Sequence, residues 1–290
     1  MSTYSLERVC AIHDLSGFGR ASLTVAIPIL STMGFQVCPL PTAVLSSQTS
    51  GVSDFSFCDL TSEMPRFLAH WLKLKLKFAS TYSGFLGNPS QVEHAAFCIH
   101  NLLADSGLAF VDPVLGDNGL LDPTQTTEMV EAQRYLVHQA DIIAPNLTEA
   151  AFLLKANYEQ NLPLNILKDE LQALANMGPK IVIITSAPAN DQNLCAVIGY
   201  DKVAKKFYRL QNKHYPVFYP GTGDTFSSCL VGCFLQKDDL PTALKRAIEF
   251  VSYGIEITYA ANTPQVEGVL LEKTLHLLHK HPIDILVDEI

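Results

Sequence analysis

The chain has no Cys-x-x-Cys pair, no Gly-x-x-x-x-Gly-Lys-[Ser/Thr] loop, and no apolar run of the ~18 residues a membrane span needs. Each absence removes a class. Without paired thiols, the seven cysteines (10, 38, 58, 98, 195, 229 and 233) read as small buried hydrophobes of a reducing compartment. The expected address is the cytoplasm. The missing lysine-bearing loop disfavours a P-loop phosphotransferase, and the missing span disfavours a membrane protein. Positive charge is scarce too, with 20 Lys+Arg against 29 Asp+Glu and a net charge of −9. A nucleic-acid surface needs clustered cations, and Lys73, Lys75 and Lys77, alternating with leucines, make no such patch. An anion held by backbone N–H groups and Mg²⁺ remains compatible with that charge. The opening residues 1–8 lack the charged-then-apolar pattern of a secretion signal.

What is present is 48% hydrophobic residues, enough for a large core. Apolar strands alternate with helical periods: strands at 9–13, 37–40, 78–82, 108–111, 142–144 and 181–184, and helices at 21–33, 63–74, 92–103, 124–136, 164–177, 240–259 and 269–279. Pro28 should kink or break the first helix. Ser62 should cap the second, and residues 42–51 read as a polar loop. Residues 194–200 and 205–211 suggest an edge hairpin. The alternation predicts an α/β fold, a mostly parallel sheet with helices on both faces. Repeats, low-complexity tracts and linkers are absent, so residues 1–290 are expected to form one domain.

Gly221-Thr222-Gly223-Asp224 precedes an apolar helix. Glycines let an anion approach the backbone, and the first N–H groups of a helix are unpaired at the positive end of its dipole. A carboxylate beside an anion cradle makes sense if it handles a proton. The plainer reading is a tight turn with Asp224 as a cap. Other polar residues collect just past the apolar strands: Asp14, Ser16, Thr42, Asp112, Asn146, Glu149, Thr185 and Ser186. The carboxyl edge of a parallel sheet is where ligands bind. Asp112 and Glu149 could share a hydrated Mg²⁺, and Asn146 with Glu149 fits a capping box. Gly17-x-Gly19 lacks the third glycine of a dinucleotide loop. Cys229 and Cys233, four apart, read as core packing, while His276, His279 and His281 read as a solvated face. His13 ends a strand beside the proposed site, equally readable as structural or as a ligand contact.

Taken together, Asp112-Pro113-Val114-Leu115-Gly116-Asp117, Ile142-Ile143-Ala144-Pro145-Asn146-Leu147-x-Glu149, Ile184-Thr185-Ser186 and Gly221-Thr222-Gly223-Asp224 resemble the ribokinase superfamily. Ser83-Gly84-Phe85-Leu86-Gly87, Pro39-Leu40-x-Thr42 and Ser46-x-Gln48-Thr49 point to its pyridoxal kinase branch. The resemblance implies a ribokinase-like three-layer sandwich and ATP-dependent phosphorylation of the 5′ alcohol of a B6 vitamer. It implies Asp224 as base, with Gly221, Thr222 and Gly223 as anion hole. Asp112, Asn146, Glu149, Thr185 and Ser186 would serve ATP, and Asp112, Asp117 and Glu149 the Mg²⁺. Asp14, Ser16, Thr42, Gln48 and Phe85 would hold the pyridine ring, and the protein would be a homodimer. Asp14, Gln48 and Phe85 stand where many relatives carry Ser, His and Tyr. Ala144 replaces a threonine that can serve a monovalent cation. These departures bear on substrate preference and cation dependence. The competing expectations are a hydroxymethylpyrimidine kinase and a non-catalytic vitamin or nucleotide binder.

Overall fold

A computed structural model describes residues 6–189, 191, 193–279 and 288–289. In chain order the elements are β1 (Arg8–Ser16), α1 (Leu23–Thr32), β2 (Gln36–Leu45), β3 (Phe57–Asp59), α2 (Met64–Lys73), β4 (Phe78–Ser83), α3 (Pro89–Asn101) and β5 (Leu103–Val111). A small hairpin follows, β6 (Gly116–Asp117) and β7 (Leu120–Leu121). Then come α4 (Thr127–Val137), β8 (Ile142–Ile143), α5 (Leu147–Leu154), α6 (Leu164–Asn176), β9 (Ile181–Ala187), β10 (Leu194–Asp201), β11 (Lys206–Lys213), α7 (Thr222–Leu235), α8 (Leu240–Ala260) and β12 (Asp288–Glu289).

The main sheet runs β12-β11-β10-β9-β8-β5-β4-β1-β2-β3. The stretch from β9 to β2 is parallel throughout, and the additions at both ends are antiparallel. Strands buried on both faces must be apolar at successive positions, which is why β8 and β9 read as unbroken Ile/Val runs. Alternate residues then serve opposite layers. Ile143, Val182 and Ile184 face a core shared with Leu68, Val92, Leu136, Leu153 and Leu171 of α2 to α6. Ile142 and Ile183 face the other, shared with Ile29, Leu230 and Leu244 of α1, α7 and α8. Cys229 and Cys233 lie in this second core, 1% and 0% exposed.

Several boundaries differ from the sequence expectation. Thr42 lies on β2, which runs to Leu45 because β3 pairs with its end, so the polar loop starts later. Helix α1 continues through Pro28. Helix α2 starts on Glu63 without a side-chain cap, and Pro65 in its first turn lacks the N–H that a cap would serve. Residues 269–279 form short 3-10 turns rather than a helix. There Thr258 takes the N–H of Leu270, and the Thr274 hydroxyl bonds the carbonyl of Leu271, so side chains compete with the helical ladder. His276 and His279 are exposed, and His281 lies outside the described residues.

Candidate active site

Helix α7 begins at a turn that only glycine can make. Gly221 sits at φ 77°, and a Cβ there would lie 1.9 Å from the carbonyl oxygen of Arg20. Arg20 is itself tied down. Its N–H and guanidinium both reach the carbonyl of Glu267, and its Nε bonds the Glu272 carboxylate. Gly268 packs against both Arg20 and Pro220. Gly223, two residues on, is exposed and has nothing within 4 Å of where a Cβ would be. The backbone at the positive end of α7 is therefore bare on the side where an anion would approach.

Asp224 follows, with one carboxylate oxygen accepting the backbone N–H of Ser22 at 2.9 Å. Its side chain is 16% exposed. Burial, with a smaller push from Asp14, raises its pKa to about 6, against the pull of the Ser22 N–H. Asp112, just past β5, accepts the Ser227 hydroxyl at 2.8 Å. Burial and then the charge of Asp224 push it up to about 7. Glu149 closes the expected capping box, taking the Asn146 N–H at 2.7 Å while Asn146 Oδ1 takes the Glu149 N–H at 2.9 Å. It also accepts the Leu115 N–H at 3.2 Å. Even so, burial and the charge of Asp112 hold it well above the usual carboxylate range. Crowded buried carboxylates of this kind are what a cation relieves.

The β6–β7 hairpin turns on Asn118 and Gly119, both at positive φ. It is pinned by Asn146 Nδ2 on the Gly116 carbonyl and by the Gly119 N–H on Thr148. Thr185 bridges Asn146 through the backbone, with its N–H on the Pro145 carbonyl. Asp112, Asp117, Asn146, Glu149, Thr185, Ser186 and the Gly221–Asp224 turn, Thr222 included, line one cavity of about 700 Å³. Val197, Ile248, Val251 and Ile255 add an apolar wall. Among the described residues no three His, Cys, Asp or Glu side chains are grouped to hold a metal alone. Asp112, Asp117 and Glu149 are thus no self-sufficient cage. The pair Asp112 and Glu149 fits a hydrated Mg²⁺, which takes one or two carboxylates and completes its shell with water and phosphate oxygens.

The ring-side candidates lie apart from that lining. Asp14 is buried and accepts the hydroxyls of Ser22 at 2.5 Å and Ser16 at 2.9 Å. Thr42 is fully buried, its hydroxyl reaching the Phe85 carbonyl at 3.4 Å and its carbonyl held by Gln91. Gln48 spends its amide on Ser50 and Val266. Phe85 is half-buried.

Sequence reading passed over Ser22 and Ser227. Ser227 carried a signal, since it stands three residues after Asp224 and so shares its helix face. Ser22 carried none, because its N–H meets Asp224 from 202 residues away.

The fold is of the ribokinase-like α/β type, shared by solved pyridoxal kinases. The family model described as phosphomethylpyrimidine kinase matches residues 21–268, and the chain belongs to that family. It is 26% identical over 255 residues to the hydroxymethylpyrimidine/phosphomethylpyrimidine kinase of Haemophilus influenzae, covering 87% of this chain and 91% of that one. A Bacteroides thetaiotaomicron protein, provisionally described as a phosphomethylpyrimidine kinase and crystallised with pyridoxal, superposes at TM-score 0.95. The two are 44% identical over 99% of this chain and 100% of that one. The pyridoxal kinase of Lactobacillus plantarum superposes at 0.86, with 31% identity over 96% and 100%.

Proposed function

We propose that the chain is an ATP-dependent pyridoxal kinase, moving a phosphoryl group to the 5′ primary alcohol of pyridoxal, pyridoxine or pyridoxamine. The observation that carries this reading is Asp224, a carboxylate pushed up to about 6 in the first turn of a helix where Gly223 leaves the backbone open. A base poised near neutrality accepts a hydroxyl proton efficiently. Phosphoryl transfer otherwise asks for positioning and charge stabilisation. The N–H groups at Gly221, Thr222 and Gly223 would hold the transferring group. Asn146, Thr185 and Ser186 would line the ATP side. Mg²⁺, when bound, neutralises phosphate charge, and Asp112 and Glu149 would hold it through water with Asp117 alongside. Asp14, Ser16, Thr42, Gln48 and Phe85 would frame the ring after local rearrangement. Residues 1–290 would act as one kinase domain, as a cytoplasmic homodimer, with a monovalent cation as an optional further ligand.

Pyridoxal in the Bacteroides relative supports the vitamer. The family model and the Haemophilus relative favour a second reading, hydroxymethylpyrimidine as substrate. A coupled ADP-release assay across the three B6 vitamers and hydroxymethylpyrimidine, read as kcat/KM, separates the two. The kinase reading fails if pyridoxal binds while no alcohol is turned over, which would leave a non-catalytic binder.

A further inference from the structure

His13 is fully buried within β1, which runs on to Ser16 beyond the strand end expected at residue 13. Among the described residues neither ring nitrogen has a hydrogen-bond partner. Leaving a buried donor and acceptor unmet costs free energy, so such a group calls for a reason. The ring is held in place on two sides. Tyr82 packs edge-on at 4.3 Å between centroids. Gly84 lies so close that a Cβ there would come within 2.3 Å of Nδ1. On a third side, Nδ1 stands 3.9 Å from Asp224 Oδ1. That is about 1 Å beyond a hydrogen bond. The other Asp224 oxygen is already fixed by the Ser22 N–H.

We propose that His13 is the positioning partner of Asp224, its neutral ring donating Nδ1–H to Oδ1 when substrates fill the site. The inference rests on the kinase reading above. With Ser22 on one oxygen and His13 on the other, the carboxylate plane is fixed and a lone pair stays free for the substrate hydroxyl. No proton passes between the pair: the alcohol proton goes to Asp224, and the ring keeps its Nδ1 hydrogen. Burial drives the His13 pKa down to about 3, so the ring is uncharged at working pH. The titratable groups around Asp224 are His13 and Asp14 from β1, Tyr82 from β4, and Asp112 from the end of β5.

Two substitutions and one spectrum test this. His13→Leu removes both unmet ring nitrogens, so its thermal midpoint should hold or rise. Its kcat with pyridoxal and ATP should fall about tenfold with KM for ATP unchanged. Losing a donor to the carboxylate raises the pKa of Asp224, so the acid limb of kcat/KM should move up by about one pH unit. His13→Asn, whose amide reaches the Nδ1 position, should recover most of the rate. In wild-type protein with pyridoxal, Mg²⁺ and a non-hydrolysable ATP analogue, long-range ¹H–¹⁵N correlation should find Nδ1 protonated. A His13→Leu enzyme with unchanged kcat and pH profile overturns the proposal, as does a bare Nδ1. So does an Asn variant no better than Leu. If His13→Leu does not fold, the Asn variant and the spectrum decide. A wild-type protein that turned over no alcohol would sink the kinase reading instead, and the spectrum would still judge the pairing.

Discussion

The two halves of the candidate site are built differently. On the side proposed for phosphate, Gly221–Asp224, Asp112, Asn146 and Glu149 line one cavity, and the groups proposed to hold the anion are main-chain N–H. On the ring side, Asp14, Thr42 and Gln48 are buried and bonded to Ser16, Ser22, Gln91, Ser50 and Val266. Backbone geometry is fixed by the fold and stands ready without a ligand. Side chains that satisfy one another must be drawn away from those partners to greet a substrate. The phosphate half should therefore set the rate, and the ring half should set which alcohol is accepted.

The sharpest break in that comparison is Asp224→Asn. It should cost roughly 10²- to 10⁴-fold in kcat, about 3–5 kcal/mol of barrier, with an unchanged circular-dichroism spectrum. Near-normal turnover of the purified variant would remove Asp224 from the mechanism. Next comes Gly223→Val, which has room to fold but would fill the anion cradle, lowering kcat/KM for ATP roughly 10²-fold. Gly221→Ala should instead lose folded protein, since its Cβ would collide with Arg20 at a positive φ. Comparing their melting curves separates cradle from scaffold.

The pH dependence comes third. With Asp224 at about 6, kcat/KM should fall as pH drops below that value. Stability should run the other way. Asp112 and Asp224, at about 7 and 6, lie above their unfolded values near 3.9. Their contribution is full below the unfolded value and is lost as pH rises through 6 to 7. The ligand-free melting temperature should therefore climb as pH falls from 8 toward 6.5, and Asp112→Asn should flatten that slope in scanning calorimetry. Below about 6.5 His13, buried and neutral, opposes the trend by one proton. The smallest effect is expected from Asp14→Ser, with KM for the ring substrate shifting about tenfold or less and KM for ATP unchanged. A matching change in ATP affinity would erase the division between the halves.

Much of this was legible in the residues. Unbroken apolar strands such as Ile181–Ile184 dictate a doubly covered parallel sheet, and Asn146 with Glu149 announced a capping box that exists. Gly221 announced the tight turn that opens α7, which only glycine tolerates. What was not legible depends on long-range contact. The Ser22 N–H reaches Asp224 from 202 residues away, and β2 is extended by β3 across a loop. The 3-10 turns after Val269 combine a bond to Thr258 with the local one from Thr274 to Leu271. His13 was visible as a strand-end histidine, yet its two bare nitrogens depend on Tyr82 and Gly84 crowding it.

The clamp around Arg20 has one more implication. The turn before α7 is braced by a loop from the first strand and by Glu267, Gly268 and Glu272 near the far end. A nascent chain that stops short of Gly268 already carries every acid and glycine the chemistry would use, yet lacks the brace that shapes them. The Arg20 bond to the Glu267 carbonyl spans 247 residues of sequence, so the shape of the turn waits on the folding of everything between them.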